Sequence, residues 1–379
     1  MPPRSFIITV TFLLALLHAY IGVRILPALP GPGVLHVLGG LWLLLSFVLV
    51  PLGLLARAIR PQPLSDRLAW IGLMAMGLFS SLLVLTFLRD IGLLVAGAII
   101  DIPAAWISGT AAAVPLLSLI ASAAGYANAR RVAPVVDVEI ALPGLPPALQ
   151  GFTIAQISDI HVGPTIKGAY LSRIVERVNA LDADLIAVTG DLVDGSVAEL
   201  SSHTAPLAQL RARDGAFFVT GNHEYYSGVE DWIAQVKGYG LRVLMNEHVV
   251  LQRGDAQLVV AGVPDFGAHH FDPRHRSDPK TALAGAPADA AARILLAHQP
   301  RSARAAEKAG FDLQLSGHTH GGQFFPWNLF VPLQQPFTAG LHRLQRLWVY
   351  VSRGTGYWGP PKRFGAPSEI TRLRLVRSP

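Results

Sequence analysis

The chain has 379 residues, no cysteine and a formal net charge of +6. The absence of cysteine excludes disulfides, thiolate metal ligands and cysteine nucleophiles. The positive charge comes mostly from dispersed Arg and forms no clustered basic and aromatic face, so we expect no nucleic-acid partner. Closeness to the anionic headgroups of a lipid bilayer explains this charge more simply.

Charged residues are distributed unevenly along the chain. Residues 1–133 contain eight Arg, three Asp and no Lys or Glu. The rest of the chain has the composition of an ordinary soluble domain. We therefore predict a transmembrane region at 1–133, followed by a catalytic domain at 134–379.

Four apolar runs in the first region are long enough to cross a bilayer, which takes about 20 residues per helix. They lie at 5–23, 33–56, 68–88 and 104–127. No charged stripe accompanies them, which argues against a soluble helical bundle. The first run is expected to be a retained helix, because further spans follow it and no clear signal-peptide cleavage site does.

A shorter apolar run at 91–100 leaves three interpretations open. It extends the third helix, forms a re-entrant piece or lies at the membrane interface. The adjacent pair Arg89 and Asp90 is expected in a loop at the membrane surface, with an intramembrane functional pair as the alternative.

Basic residues predict the orientation of these spans. One side of the membrane holds Arg4, Arg57, Arg60, Arg67, Arg130 and Arg131, and the other holds Arg24 and the segment with Arg89, Asp90 and Asp101. By the positive-inside rule both ends of the chain are cytoplasmic. We therefore expect an integral protein of the inner (plasma) membrane with a cytoplasmic catalytic domain.

The second region has the pattern of alternating strands and helices. Apolar residues alternate at 136, 138 and 140, and a buried run at 152–158 ends at Asp159, which predicts two strands. Helical spacing follows at 171–181, and the segments 183–195 and 215–226 each read as a strand followed by a loop. This pattern predicts a layered α/β fold with a site at the strand ends.

Five polar motifs stand at the ends of apolar runs in this region: D-x-H, G-D, G-N-H-E, a lone histidine and G-H-x-H. Each is weak alone, and a single histidine is more often part of a core. In this order, and all at strand ends, they are specific. They contain Asp159, His161, Asp191, Asn222, His223, Glu224, His298, His318 and His320.

The last motif places two imidazoles two residues apart. His318 and His320 alternate with Thr319. In an extended segment both side chains would point to one side of the backbone, as a pair of metal ligands at a strand end does.

The residue types indicate a metal-dependent reaction. Imidazole, carboxylate and amide ligands favour Mn, Fe or Zn and are too rich in nitrogen for Ca or Mg alone. Two divalent ions roughly 3.5 to 4 Å apart make a phosphorus electrophilic and share a bridging hydroxide that attacks it. Hydrolysis of a phosphate ester needs both effects.

These motifs resemble those of the calcineurin-like metallophosphoesterases of the bacterial membrane-anchored type. The resemblance covers about residues 135–379, including the closing "VSRGTGYWGPPKRFGAPSEITRLRL". It implies a four-layer α/β domain, a β-sandwich flanked by helices, with a dinuclear metal centre at its rim. It also implies one ion bound by Asp159, His161 and His320, a second bound by Asn222, His298 and His318, and Asp191 bridging both.

The resemblance further implies two residues that act on the substrate. His223 would contact the phosphate and protonate the leaving oxygen. Asp194 stands where related protein phosphatases place an Asp that orients this histidine, although a plain loop carboxylate fits the sequence equally well. In those phosphatases an Arg follows that Asp and grips a phosphomonoester, whereas Gly195 follows here.

We therefore predict a membrane-bound enzyme that hydrolyses phosphodiester or pyrophosphate bonds of a lipid-linked or membrane-near substrate. A protein or small-molecule phosphomonoesterase is one alternative. A non-catalytic membrane sensor that binds a phosphorylated ligand is another, and the complete ligand set argues against it. The segment "GAHHFDPRHR" at 267–276 is interpreted as a solvated insertion, with a substrate cap or an extra metal tract as alternatives.

Overall fold

The computed structural model describes residues 4–56 and 63–378. The chain divides into two compact units, Met1–Ala127 with Gly359–Phe364, and Asn128–Trp358 with Gly365–Pro379. The boundary after residue 133 stays a prediction from composition. Arg57 and Arg60, which entered the predicted orientation, lie outside the described residues.

In the part of the chain that the structure describes, four helices are long and apolar enough to cross a membrane. This confirms the four predicted apolar helices and indicates a membrane protein, while the crossing of a bilayer by each helix stays a prediction. The helices are α1 (Arg4–Ile25), α2 (Gly33–Leu55), α3 (Leu64–Gly97) and α4 (Ala104–Arg130).

Helix α3 corrects the expectation for Arg89 and Asp90 and decides between the three interpretations of the run at 91–100. It continues through Arg89 and Asp90 to Gly97, so the prediction of a surface loop at this pair was wrong, and the run at 91–100 mainly extends the third helix. The Asp90 carboxylate accepts hydrogen bonds from Arg24 Nε at 2.7 Å and from Tyr20 Oη at 2.8 Å. These hydrogen bonds satisfy the charge of Asp90, so helix α3 continues through this position without a break.

Helices α2 and α3 meet through two glycines. A Cβ added to Gly72 would lie 2.4 Å from Gly53 Cα and 2.4 Å from the carbonyl oxygen of Leu49. Small residues at such a crossing let two membrane helices approach closely enough for backbone packing.

The segment Gly359–Phe364 belongs to the first unit because it is hydrogen-bonded to helices α3 and α4. The Lys362 ammonium donates to the Gly77 carbonyl at 3.0 Å, to the Ser122 hydroxyl at 3.3 Å and to the Ser81 hydroxyl. These acceptors satisfy an ammonium group that is otherwise shielded from water.

The second unit contains two six-stranded sheets. The strands are β1 (Val135–Leu142), β2 (Thr153–Ile157), β3 (Leu185–Val188), β4 (Ala216–Phe218), β5 (Arg242–Val243), β6 (Glu247–Arg253), β7 (Ala256–Gly262), β8 (Ala292–Leu296), β9 (Leu313–Ser316), β10 (Gly340–Leu344), β11 (Leu347–Val351) and β12 (Ile370–Arg377). The first sheet has the order β1-β12-β2-β3-β4-β5, and the second has the order β10-β11-β9-β8-β7-β6.

Six helices accompany these sheets in the second unit as described. They are α5 (Gly168–Asn179), α6 (Val197–Thr204), α7 (Asn222–Tyr226), α8 (Val229–Gly238), α9 (Pro279–Ala282) and α10 (Ala303–Ala309).

Three apolar cores show the layering. The strand residues Leu185 and Ile294 lie in a core shared by both sheets. Ile186, one position further along β3, instead packs with residues of α5, α6 and α8. Leu295 likewise packs with residues of α9 and α10. The alternation of strand side chains thus produces helix, sheet, sheet and helix layers, which confirms the predicted four-layer sandwich.

The glycine crossing of α2 and α3 is testable with an alanine pair. Gly72→Ala should lower the melting temperature of the full chain in detergent, because overpacking costs about 1–3 kcal/mol. Gly92→Ala, in the same helix with no atom within 4 Å of the added Cβ, should leave it unchanged or raise it. Equal melting temperatures for both variants would contradict this packing.

Candidate metal centre

The predicted ligands follow the carboxyl ends of strands that are neighbours in their sheets. Strands β2, β3 and β4 are parallel, and so are β8 and β9. The ends of parallel neighbours lie at one edge of a sheet, where loops carry functional side chains. In chain order these residues are Asp159 after β2, Asp191 after β3, Asn222 after β4, His298 after β8 and His318 after β9.

One cluster joins three buried residues of two distant motifs. The ligand atoms of Asp159, His161 and His320 all lie within 4.8 Å of one another. His320 Nε2 is 3.4 Å from Asp159 Oδ1 and 3.0 Å from His161 Nε2. Two imidazole nitrogens and a carboxylate oxygen that face one point can hold a transition metal ion.

A second cluster joins Asp191, His298 and His318. His298 Nε2 lies 3.2 Å from Asp191 Oδ2 and 3.2 Å from His318 Nδ1. The other ring nitrogen of His298 is 2.8 Å from the Thr189 carbonyl. A carbonyl only accepts, so Nδ1 carries the proton and Nε2 presents its lone pair to the cluster.

The Asp191 carboxylate lies between the two clusters. Its Oδ2 atom is 3.2 Å from His298 Nε2 in the second cluster and 3.8 Å from His161 Nε2 in the first. One carboxylate is therefore within ligand reach of both positions, as a bridge between two ions requires.

Asn222 has an orphaned acceptor beside the second cluster. Its Oδ1 atom is buried and has no hydrogen-bond partner among residues 4–56 and 63–378. Its neighbour His223 donates its backbone N–H to Asp191 Oδ1 at 2.9 Å. A buried polar atom without a partner is costly, and a cation at this site would satisfy it. The residues present thus fit a pair of divalent ions.

Two glycines keep the carboxylates accessible. A Cβ on Gly317 would lie 2.2 Å from Asp159 Oδ2, and a Cβ on Gly221 would lie 2.2 Å from Asp191 Oδ1. No other residue fits against these carboxylates, because any side chain would overlap an oxygen atom.

Five of the clustered residues have left-handed backbone conformations, an unusual state for residues other than glycine. Their φ angles are 53° for Asp159, 55° for His161, 53° for Asp191, 72° for His318 and 52° for His320. The expected extended geometry of His318 and His320 was therefore wrong. Because the chain turns between them, His320 joins the first cluster and His318 joins the second.

His223 stands beside the two clusters and is held by Asp194. His223 Nδ1 lies 2.5 Å from Asp194 Oδ1, and His223 Nε2 lies 3.9 Å from Asp191 Oδ2. Burial lowers the pKa of His223, but the hydrogen bond to Asp194 and the charge of Asp191 outweigh it and raise the pKa to about 9. Bound dications would oppose this rise by repelling the imidazolium.

Glu224 was part of a recognised motif but received no role from the sequence. Its carboxylate is fully buried and accepts backbone N–H groups of Asp191 at 3.0 Å, Leu192 at 2.8 Å, Val193 at 3.3 Å and Gly221 at 2.6 Å. It thereby ties the loop of Asp191 to the loop of Asn222. Only the position of the residue after G-N-H could have indicated this, since its partners are backbone atoms.

The 267–276 segment packs against helix α7 next to the centre. His275 Nδ1 lies 3.1 Å from Tyr225 Oη, and the Phe271 ring contacts the Tyr226 ring at 5.5 Å. His275, Asp272 and Glu230 also form a loose group of potential ligands. The Asp272 carboxylate in that group is bonded to Arg274. The segment is therefore anchored to the site's edge, while its role stays a prediction.

Comparisons with known proteins agree with this geometry. The profile of the calcineurin-like phosphoesterase family matches residues 152–322, which include every residue of the two clusters. A Danio rerio transmembrane protein with metallophosphoesterase domain is 39% identical over 271 residues, which are 69% of this chain and 62% of that protein. The chain thus spans less than two thirds of that relative's length.

Two bacterial metallophosphoesterases extend the likeness. One from Campylobacter jejuni is 34% identical over 268 residues, covering 69% of this chain and 68% of that protein. One from Aquifex aeolicus is 34% identical over 224 residues, covering 59% of this chain and 84% of that protein. On this evidence the chain belongs to the calcineurin-like phosphoesterases, a family of metal-dependent hydrolases.

Proposed function

We propose that the protein is a membrane-bound dinuclear-metal phosphoesterase that hydrolyses phosphodiester or pyrophosphate bonds. The observation that carries this proposal is the position of the Asp191 carboxylate, within 3.2 Å of one imidazole cluster and 3.8 Å of the other. A carboxylate shared by two sets of neutral nitrogen ligands is the arrangement that a two-metal phosphoryl site needs.

Each cluster is assigned one divalent ion, Mn, Fe or Zn. The first ion would be held by Asp159, His161 and His320, and the second by Asn222, His298 and His318. Asp191 would bridge them. Burial is the main cause that lowers the pKa of His318 to about 3, which keeps its imidazole neutral and available as a ligand at physiological pH.

When bound, the two ions make the phosphorus electrophilic and supply the nucleophile at neutral pH. The protein's own contribution is proton transfer. His223 Nε2 faces the centre while Nδ1 is bonded to Asp194, so His223 is positioned to donate its Nε2 proton to the leaving oxygen. Asp194 fixes the ring orientation and stabilises the protonated imidazole.

The surroundings of Asp194 favour a diester over a monoester. A monoester dianion carries an extra negative charge that a nearby guanidinium would neutralise, and Gly195 supplies none. Arg353 is the other candidate, since its side chain passes Gly321 beside His320. Its Nη1 atom is 2.7 Å from the buried Glu369 carboxylate, so its charge is balanced by the protein itself.

The proposed setting is the cytoplasmic face of the inner membrane. Helix α4 ends at Arg130 and strand β1 begins at Val135, so a short connector separates the membrane from the catalytic unit. This closeness supports a substrate that is lipid-linked or held near the membrane, with no nucleic-acid partner. The relatives' names extend only to the metallophosphoesterase class, so the substrate is our inference.

Metal content tests the bridge. Full-length protein should contain two transition metal ions per chain, and Asp191→Asn should lose metal from both clusters together with activity. Asp255→Asn, an exposed position in the β6–β7 turn, is the matched control and should keep both ions.

His223→Ala should keep both ions and lose about 10²- to 10⁴-fold in kcat, the usual contribution of proton transfer.

Elemental analysis of the purified variants decides between these roles. Full metal occupancy in Asp191→Asn would refute the bridge. Loss of an ion from His223→Ala would show that His223 is a ligand and not the proton donor.

Substrate preference tests the argument from Gly195. With Mn²⁺, kcat/KM should be higher for a bis-aryl phosphate than for the matching mono-aryl phosphate. Gly195→Arg should raise monoester turnover by neutralising the second charge, whereas the uncharged Gly195→Gln should not. A clear monoester preference of the unaltered protein would contradict the proposal.

Reporter fusions test the orientation. A reporter attached after residue 131 should be active only in the cytoplasm, because most basic residues flank the spans on that side. A fusion after residue 100, between α3 and α4, should report the opposite side. Periplasmic activity of the fusion after residue 131 would overturn the topology.

A further inference from the structure

An exposed apolar segment follows the loop that carries His318 and His320. We name residues 325–333, "FPWNLFVPL", the apolar lip. Its side chains are unusually accessible for large hydrophobic groups, with Leu333 81%, Leu329 62% and Phe330 52% exposed. Soluble surfaces carry single exposed hydrophobic residues, but a contiguous set marks an interaction site.

The charge pattern around the lip separates it from the rest of the second unit. No Asp, Glu, Lys or Arg occurs between Asp312 and Arg343. The lip also contains Trp327, whose ring packs at 5.9 Å from that of Phe330. Tryptophan with neighbouring aliphatic side chains and no charge is the composition of segments that lie at the boundary between headgroups and acyl chains.

The backbone of the lip meets the main requirement of that environment. Its two 3-10 turns are hydrogen-bonded internally, with the N–H groups of Leu329, Phe330 and Leu333 donating to carbonyls three residues earlier at 2.9, 3.0 and 3.1 Å. Paired backbone groups cost little to remove from water, whereas open ones prevent insertion. The apolar side chains are therefore the part of the lip that is left to interact.

The base of the lip, which we define as residues 334–338, is hydrogen-bonded to the loops of both candidate metal clusters. Thr319, between His318 and His320, donates its hydroxyl to the Thr338 carbonyl at 2.5 Å. Gln335 donates its side-chain amide to Gln299, the residue after His298, at 3.0 Å. The position of the lip therefore fixes the position of the metal centre relative to whatever the lip contacts.

We propose that the apolar lip inserts into the interfacial region of the membrane in which helices α1–α4 anchor the protein. The candidate metal centre would then lie at the level of the lipid headgroups. The bilayer is favoured as the occupant because the anchoring helices keep it at high effective concentration beside the domain. Arg301 supports this choice, since its exposed guanidinium lies at the base of the lip, 2.6 Å from the Gln334 carbonyl, where an anionic headgroup would pair with it.

A substrate class follows from this placement, and this step rests on the proposed phosphoesterase function. A phosphate ester in a phospholipid headgroup would reach the centre without leaving the bilayer. The proposed substrate class is an anionic phosphodiester or pyrophosphate that carries an acyl-chain anchor.

The absence of cysteine makes the insertion directly measurable. Leu329→Cys and Leu333→Cys introduce single labelling sites at exposed positions, where an environment-sensitive fluorophore does not disturb packing. The full-length proteins are reconstituted into vesicles of phosphatidylethanolamine and phosphatidylglycerol. Asp255→Cys in the exposed β6–β7 turn serves as the aqueous control, and Leu44→Cys on the exposed face of α2 serves as the bilayer control.

Two quenchers distinguish the outcomes, with nitroxide-bearing lipid reporting bilayer contact and iodide on both sides of the vesicle reporting water contact. Labels at 329 and 333 should lose most of their emission to the lipid quencher, as the label at 44 does, and little to iodide. Iodide quenching equal to that at 255 would overturn the proposal. Protection from both quenchers would also overturn it, since a second protein surface would then cover the lip. The assay needs no turnover, so its result is independent of the proposed catalytic function.

Discussion

The candidate metal centre depends on backbone conformation at the strand ends. Five of its candidate ligands have φ angles between 52° and 72°, a region that costs residues other than glycine free energy. Such conformations persist only where the surroundings over-determine them. Here the Glu224 carboxylate and the carboxylates of Asp159 and Asp191 accept backbone N–H groups from these loops.

These hydrogen bonds connect the loops that carry the candidate ligands to one another. Asp159 accepts the N–H of His318 through both oxygens, at 2.9 and 3.0 Å, so a ligand from β2 fixes the loop after β9. Glu224 does the same between the loops after β3 and β4. The Asp159 carboxylate thereby joins the two sheets at one edge, and the Glu224 carboxylate joins two loops of the first sheet. A site built in this way is preorganised before any ion binds.

The proposed membrane setting accounts for the exposed apolar surfaces of both units. Helices α1–α4 are apolar around most of their surface, and a polar cluster of Tyr20, Arg24 and Asp90 satisfies its own charges. In the second unit the exposed hydrophobic residues concentrate in the apolar lip, next to the loop of His318 and His320. The proposed insertion of the lip into the membrane would cover this exposed apolar surface.

The sequence by itself determined the four apolar helices, a layered α/β fold and the motifs that contain the clustered residues, while resemblance to a family implied the two-sheet sandwich. Hydrophobic run length and strand periodicity depend on local chemistry and so are written in the order of residues. Even the division of His318 and His320 between two ions followed from resemblance to a family. The extended backbone expected for this pair did not survive, because left-handed turns depend on carboxylates that come from distant strands.

Only the tertiary structure decided how these residues cooperate. The four backbone amides held by Glu224, the contact of Asp194 with His223 and the helical continuation through Arg89 and Asp90 all rest on partners remote in sequence or on backbone atoms that carry no signature. The exposure of the lip was equally hidden, since large apolar residues are more often buried than exposed. Burial is a property of the whole fold, so the sequence gives the hydrophobicity of this segment and the structure alone gives its exposure.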